Sequence, residues 1–417
     1  MRAGAVRGYC PRAKDGKRQK WQGLDVLAIF PTPLSAEVST GNPHPLQGRQ
    51  EVYLYYSAQF SRFVGSLIYK KEENYMAQYY YNPNFNEQQS EYMRRQIQRD
   101  NIARKQKKEL KKISSWLGGA IILYLVLQVI VSLAMSKITI NSGQTLYDIY
   151  KSSASFSYAV NILFISILSV AAPFGLVALI NKKKYKTPIV PTKSLKFVDA
   201  VIWICFGMGI CVIANAATSY LVAFLKTVGI TLTQGDVSNP NSVFECVLNI
   251  IGIAIVPAIC EEFAMRCCSL GLLKNYGKAF GVVAVSVVFG LLHGNVIQFV
   301  FAFLVGLVLA YVTIKTDSII PAMCIHALNN GMSAVGDTVN FVAGKEVNIT
   351  AALFGFWLLL GIIATVYLGI KHKLTLPKEN SDCVLTTGEK ISSFLFPGMI
   401  IPFLLLIVMT AQTVKIG

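Results

Sequence analysis

Acidic residues and histidines are scarce in this chain, and the few present are placed unevenly. Over 417 residues there are 22 Asp and Glu against 39 Lys and Arg, and only four His. The nine cysteines form no C-x-x-C pair and no H-E-x-x-H occurs, which excludes the common thiolate zinc sites and the zincin signature. Cys205, Cys211, Cys246, Cys260, Cys267, Cys268 and Cys324 lie in or beside apolar runs, where buried free thiols are expected. No glycine-rich loop runs into Lys followed by Ser or Thr, so Gly271, Gly277, Gly281, Gly290, Gly294 and Gly306 read as close-packing positions rather than a phosphate cradle. No apolar run of secretory length follows the first basic residues, so no signal peptide is expected.

What is abundant is apolar surface: 53% of the chain is hydrophobic and 15% charged. Several runs reach the roughly 20 residues needed to cross a bilayer. The expected spans run from Trp116 to Met135, Ala159 to Ile180, Ala200 to Leu225, Val243 to Leu273, Ala279 to His293, Val296 to Ile314, Ile319 to Val335, Ala351 to Ile370 and Phe394 to Ala411. The fold class is therefore all-α, a polytopic transmembrane helix bundle of about eight to nine spans with a polar cytoplasmic N-terminal extension.

The net charge of +17 could suggest nucleic acid. Its distribution argues against that, because Lys and Arg gather in connectors on alternate sides of the spans: Arg94 to Lys112, Lys182 to Lys196, and Lys371 to Lys378. This is the positive-inside pattern, and it predicts a cytoplasmic N-terminus and contact with membrane lipids. Residues 1–75 read as a disordered or upstream-translated extension. Lys70-Lys71-Glu72-Glu73 is encoded by purine-rich codons that resemble a bacterial ribosome-binding site shortly before Met76, which suggests a natural start there and a bacterial cell membrane. The rest divides into a basic juxtamembrane segment at 76–113, three spans over 114–242, a core at 243–335 and C-terminal spans over 336–417.

The core carries the chemistry. Glu261 and Glu262 stand in an otherwise apolar run, with Arg266 following, and charge inside a membrane helix normally faces the bundle interior, finds a partner and marks a working site. Glu262 and Arg266 are i and i+4, so they share a face and can pair, whereas Glu261 points about 100° away and is left for chemistry. Two of the four histidines, His293 and His326, fall in separate apolar spans of the same region. Phe289 shares a face with His293, and Asn330 with His326. Counting 1.5 Å per residue from the basic end of each span puts Glu261, His293 and Asn330 at depths of roughly 17–20 Å, with His326 nearer that end. A carboxylate and an imidazole on different helices can hold and deprotonate a water, with Glu261 as base. The His326 ring and the Asn330 amide are the donors available for the resulting oxyanion.

Glu261-Glu262-Phe263-Ala264-Met265-Arg266, Phe289-Gly290-Leu291-Leu292-His293 and His326-Ala327-Leu328-Asn329-Asn330 resemble the E-E-x-x-x-R, F-x-x-x-H and H-x-x-x-N motifs of the CPBP intramembrane proteases. That family includes the CAAX prenyl endopeptidases and bacterial relatives linked to bacteriocin processing and self-immunity. The resemblance implies that Glu261 and His293 activate water, His326 and Asn330 bind the oxyanion, and Glu262, Arg266 and Phe289 support them. It implies a peptide or lipid-modified protein as substrate. Zinc is suggested for some members, and Glu261, His293 and His326 are the three residues that could ligate it here, although no cofactor is required by the sequence. Two other classes fit the composition: a catalytically silent membrane scaffold of the same fold, and an ion- or proton-coupled transporter. The intact motifs weigh against the first, and the lack of visible inverted repeats against the second.

Overall fold

The computed structural model describes residues 87–140, 143–233, 239–377 and 382–416. The extension at 1–75, the Met76 start and the first part of the juxtamembrane segment lie outside these residues. The described chain is a helix bundle, and its one sheet is a two-stranded ribbon.

The first helix, α1 (Glu87–Lys137), joins the basic segment and the first span in one run of 51 residues. The basic segment continues the helix of the span, and its polar side chains hold other connectors: Lys107 lies 2.7 Å from Glu389, Lys184 lies 2.8 Å from Glu109, and Gln106 bonds the backbone at Asp382 and Val384. A short helix α2 (Leu146–Ser152), closed by a Thr145–Asp148 capping box, leads into α3 (Ala154–Ile180). There follow α4 (Phe197–Thr227), α5 (Val243–Tyr276), α6 (Lys278–Leu292), α7 (Val296–Thr316), α8 (Ile320–Ala343), α9 (Thr350–Ile370), α10 (Thr387–Phe394) and α11 (Pro397–Ala411). Strand β1 (Ile230–Leu232) pairs antiparallel with β2 (Val414–Ile416), with Thr231 opposite Lys415. The ribbon ties the end of α4 to the end of α11, at the face of the bundle opposite the lysine-rich connectors.

Six of these helices are long and apolar enough to cross a membrane, and α10 with α11 makes a seventh, bent by 72°. The two remaining expected spans are present as helices of another kind. α6 has 15 residues, about 22 Å of rise, and α8 carries His326, Asn329, Asn330, Asp337 and Asn340 among mostly apolar residues. Both are needed to build the interior, so polarity there reflects a lining role rather than a lipid-facing one.

Small residues set the closest approaches. A Cβ on Gly209 of α4 would lie 2.7 Å from the Gly361 Cα of α9, so those backbones touch. Gly118 of α1 and Gly398 of α11 make an equally close crossing, reinforced by a hydrogen bond from Ser114 Oγ to the Phe394 carbonyl. Between lipid-like side chains there is little hydrophobic drive to associate, and close packing of small residues supplies the attraction instead. One apolar cluster joins α1, α3, α5, α6 and α11; a second joins α4, α7, α8 and α9. The polar site lies where α5, α6, α7 and α8 meet.

Candidate active site

α5 presents the acids on an irregular stretch of backbone. π-helical turns at Ile250–Ile255 and Phe263–Ser269 flank a short α-helical portion, Val256–Glu262, which ends on Glu261 and Glu262. Pro257 sits in the first turn of that portion, directly after a π segment. Proline removes an i→i−4 hydrogen bond, and wide turns of this kind recur where helices carry function.

Glu262 is fully buried and holds two partners. Its Oε2 is 3.0 Å from Arg266 Nε, an ion pair by distance in which the N–H is not aligned for a hydrogen bond. Its Oε1 is 2.9 Å from His326 Nδ1. A carboxylate oxygen only accepts here, so His326 Nδ1 carries the proton and donates it. Arg266, 1% exposed, also donates from Nη2 to the Gly306 carbonyl on α7 at 3.3 Å. Its guanidinium lies 4.8 Å over the Phe289 ring. Phe289 in turn meets His293 edge-on at 5.0 Å and His326 at 5.8 Å, which explains the aromatic residue in the second motif: one ring braces the guanidinium and both imidazoles. Gly306 is needed where it is, since a Cβ there would press on Phe289 and Ser286 at 3.2 Å.

Glu261 has a different setting. Its side chain is 22% exposed, its Oε2 has no hydrogen-bond partner, and His326 Nε2 lies 3.8 Å away. An Nε2 lone pair facing a carboxylate oxygen is unfavourable, so this contact favours a proton on Nε2. His293 is the first residue beyond α6, in the turn closed by Gly294 (φ 66°) and by Asn295, whose side chain caps α7 at Gln298 N. Its Nδ1 is 2.9 Å from the Phe289 carbonyl. A carbonyl only accepts, so Nδ1 donates and Nε2 keeps a lone pair in the neutral ring. Glu261, His293, Phe289, Met265 and Tyr124 line one cavity of about 190 Å³. Tyr124, on α1, donates to the Leu292 carbonyl at 2.9 Å and so fixes the end of α6 beside His293.

Asn330 is held apart from the other three. Its Nδ2 donates to the Ile253 carbonyl at 3.2 Å, and its Oδ1 accepts from Asn329. Asn329 joins a chain that ends on Asn215 of α4 at 3.4 Å. Sequence reasoning did not find the bond between Glu262 and His326, because the partners are 64 residues apart and the i+4 rule already gave Glu262 a mate. Nor did it find Tyr124, whose only signal is a single hydroxyl in an apolar run.

The candidate zinc set does not assemble. Among the described residues no group of three or more His, Cys, Asp and Glu is gathered to hold a metal ion. His326 turns Nδ1 to Glu262 and His293 turns Nδ1 to its own helix, which leaves Nε2 as the open ring nitrogen on each. As placed, the three residues are not gathered into a metal site.

A bundle of membrane-spanning helices with an acid, two imidazoles and a braced guanidinium in its interior defines an integral membrane protein with a polar cluster at its centre. Residues 243–332 match the family model described as type II CAAX prenyl endopeptidase Rce1-like, a stretch that contains all three motifs. Over that stretch the chain is similar to the CAAX-type intramembrane proteases at the level of the family. No curated protein and no solved structure matches the chain.

Proposed function

We propose that this protein is a glutamate-dependent intramembrane endopeptidase that hydrolyses a peptide bond near the C-terminus of a peptide or lipid-modified, membrane-associated protein. The observation that carries the reading is Glu261: a carboxylate oxygen without a hydrogen-bond partner, on the wall of a cavity shared with His293 and 3.8 Å from His326 Nε2.

A water in that cavity donates one hydrogen to Glu261 and the other to His293 Nε2. Glu261 takes a proton as the water oxygen attacks the scissile carbonyl. The carbonyl oxygen becomes an oxyanion, and a donor aimed at it stabilises the transition state more than the ground state. His326 supplies that donor from Nε2, which requires the doubly protonated ring because Nδ1–H is committed to Glu262. Asn330 joins as second donor once its amide leaves the Ile253 carbonyl. Glu261 returns its proton to the departing amine, and the tetrahedral adduct collapses to an acid and a free amine. Glu262 and Arg266 hold His326 in place throughout.

The basic connectors support a cytoplasmic N-terminus, and maturation of a peptide or immunity to a peptide toxin is the proposed role. Peptide profiles of membranes from cells carrying the wild type and the Glu261→Gln variant test the activity. A product present only with wild type is expected. Identical profiles would instead support a silent scaffold. Activity should also fall on the alkaline side as His326 loses its second proton; a rate that stays level from neutral to alkaline pH removes His326 from the oxyanion role.

A further inference from the structure

Behind the Glu262–Arg266 pair lies a second and larger cavity, about 500 Å³. Its walls come from the connector after α3, the end of α5, the start of α6 and the end of α7. They carry Lys186, Lys193, Lys274, Lys278 and Lys315 beside Arg266, against two carboxylates, Asp317 and Asp382. Asp382 is engaged with Lys186 at 3.0 Å, and Lys315 donates to Thr375 Oγ1 at 2.9 Å, so cations remain in excess around the space. Arg266 is the link to the catalytic cluster. It lines this cavity while only 1% exposed, and with Nε toward Glu262 and Nη2 on Gly306, its Nη1 has no hydrogen-bond partner.

A buried charged donor without an acceptor is strongly unfavourable, so a built site for an acceptor is the natural explanation. We propose that this cavity binds a phosphate-bearing anion, with Arg266 Nη1 and the surrounding lysines as its donors. Guanidinium matches the oxygen geometry of phosphate, and ammonium groups add point charges around it. The volume falls in the range of roughly 300–1,000 Å³ typical of small-ligand sites. Basic pockets between membrane helices on one face of a bundle are recurrent sites for acidic lipid headgroups, and a free polyphosphate offers the same chemistry. An occupant abuts the guanidinium that holds Glu262, and through it His326, so binding bears on the catalytic cluster. The binding claim itself stands apart from the protease reading, because its test reads stability rather than hydrolysis.

The experiment uses the purified full chain in an uncharged detergent. Unfolding is followed with a thiol-reactive dye, to which the buried Cys267 and Cys268 become accessible on melting. The probes are inorganic pyrophosphate, dioctanoyl phosphatidylglycerol and, as the uncharged-headgroup reference, dioctanoyl phosphatidylcholine. A rise of roughly 2–4 °C at saturation is expected with an anionic probe and not with phosphatidylcholine. A rise with pyrophosphate identifies phosphate itself as sufficient; a rise with phosphatidylglycerol alone identifies the lipid as the source. Lys193→Gln with Lys278→Gln should cut the rise by half or more. Lys186→Gln with Lys315→Gln should do the same if the first pair folds poorly without ligand. No rise with either anion, an equal rise with phosphatidylcholine, or an undiminished rise in a well-folded variant overturns the proposal.

Discussion

At the scale of single residues, the site turns on how one buried carboxylate is shared. Glu262 faces a guanidinium and an imidazole that both come from positions with almost no access to water. Removing one member leaves the others charged and desolvated, which typically costs 3–5 kcal/mol, whereas a matched apolar replacement of a whole buried pair is often tolerated. Arg266→Ala should therefore lower stability by about 3–5 kcal/mol, read as a fall in the thermal midpoint. Glu261→Gln should leave that midpoint close to wild type, since the Glu261 carboxylate is partly exposed and makes no hydrogen bond through Oε2. A large loss of stability in Glu261→Gln would show that this acid is structural. Tyr124→Phe removes only the bond to the Leu292 carbonyl and should cost about 1 kcal/mol. At this scale the sequence was informative where a polar residue interrupts an apolar run, because each such residue needs a reason to be there. It was silent on Phe289 as a three-way brace, since an aromatic residue in a membrane helix is unremarkable until its neighbours are known.

At the scale of helices, the crossing of α4 with α9 depends on two glycines whose backbones are in contact. Gly361→Leu should push the helices apart and destabilise the bundle by about 1–3 kcal/mol or more, while Gly369→Leu on the same helix, where a Cβ meets nothing within 4 Å, should be nearly neutral. Thermal unfolding of the two variants side by side makes the comparison. The long apolar helices were legible because span length and hydrophobicity are set by the bilayer and not by the details of packing. The continuity of α1 was not, because the basic residues that mark the edge of the span do not break a helix. The π segments of α5 were also invisible, since Pro257 signals a perturbed helix without saying which way the hydrogen bonding shifts.

At the scale of the whole molecule, the lysine-rich connectors and the β1–β2 ribbon lie at opposite ends of the helices. A cysteine introduced at Lys193 and one introduced at Thr231 should react with an impermeant maleimide from opposite sides of sealed membranes, with Lys193 on the cytoplasmic side. Labelling of both from one side would refute the orientation. The two shortest of the long helices, α6 and α11, have 15 residues each and pack against one another, and the turn after α6 is bonded to Thr413 just before the ribbon. A rise of about 22 Å falls short of a hydrocarbon core of about 30 Å. Lipid meets such a mismatch by thinning. Where α11 meets lipid, a thinner bilayer suits it better, so reconstitution in short-chain lipids should favour the protein over long-chain ones in both stability and turnover.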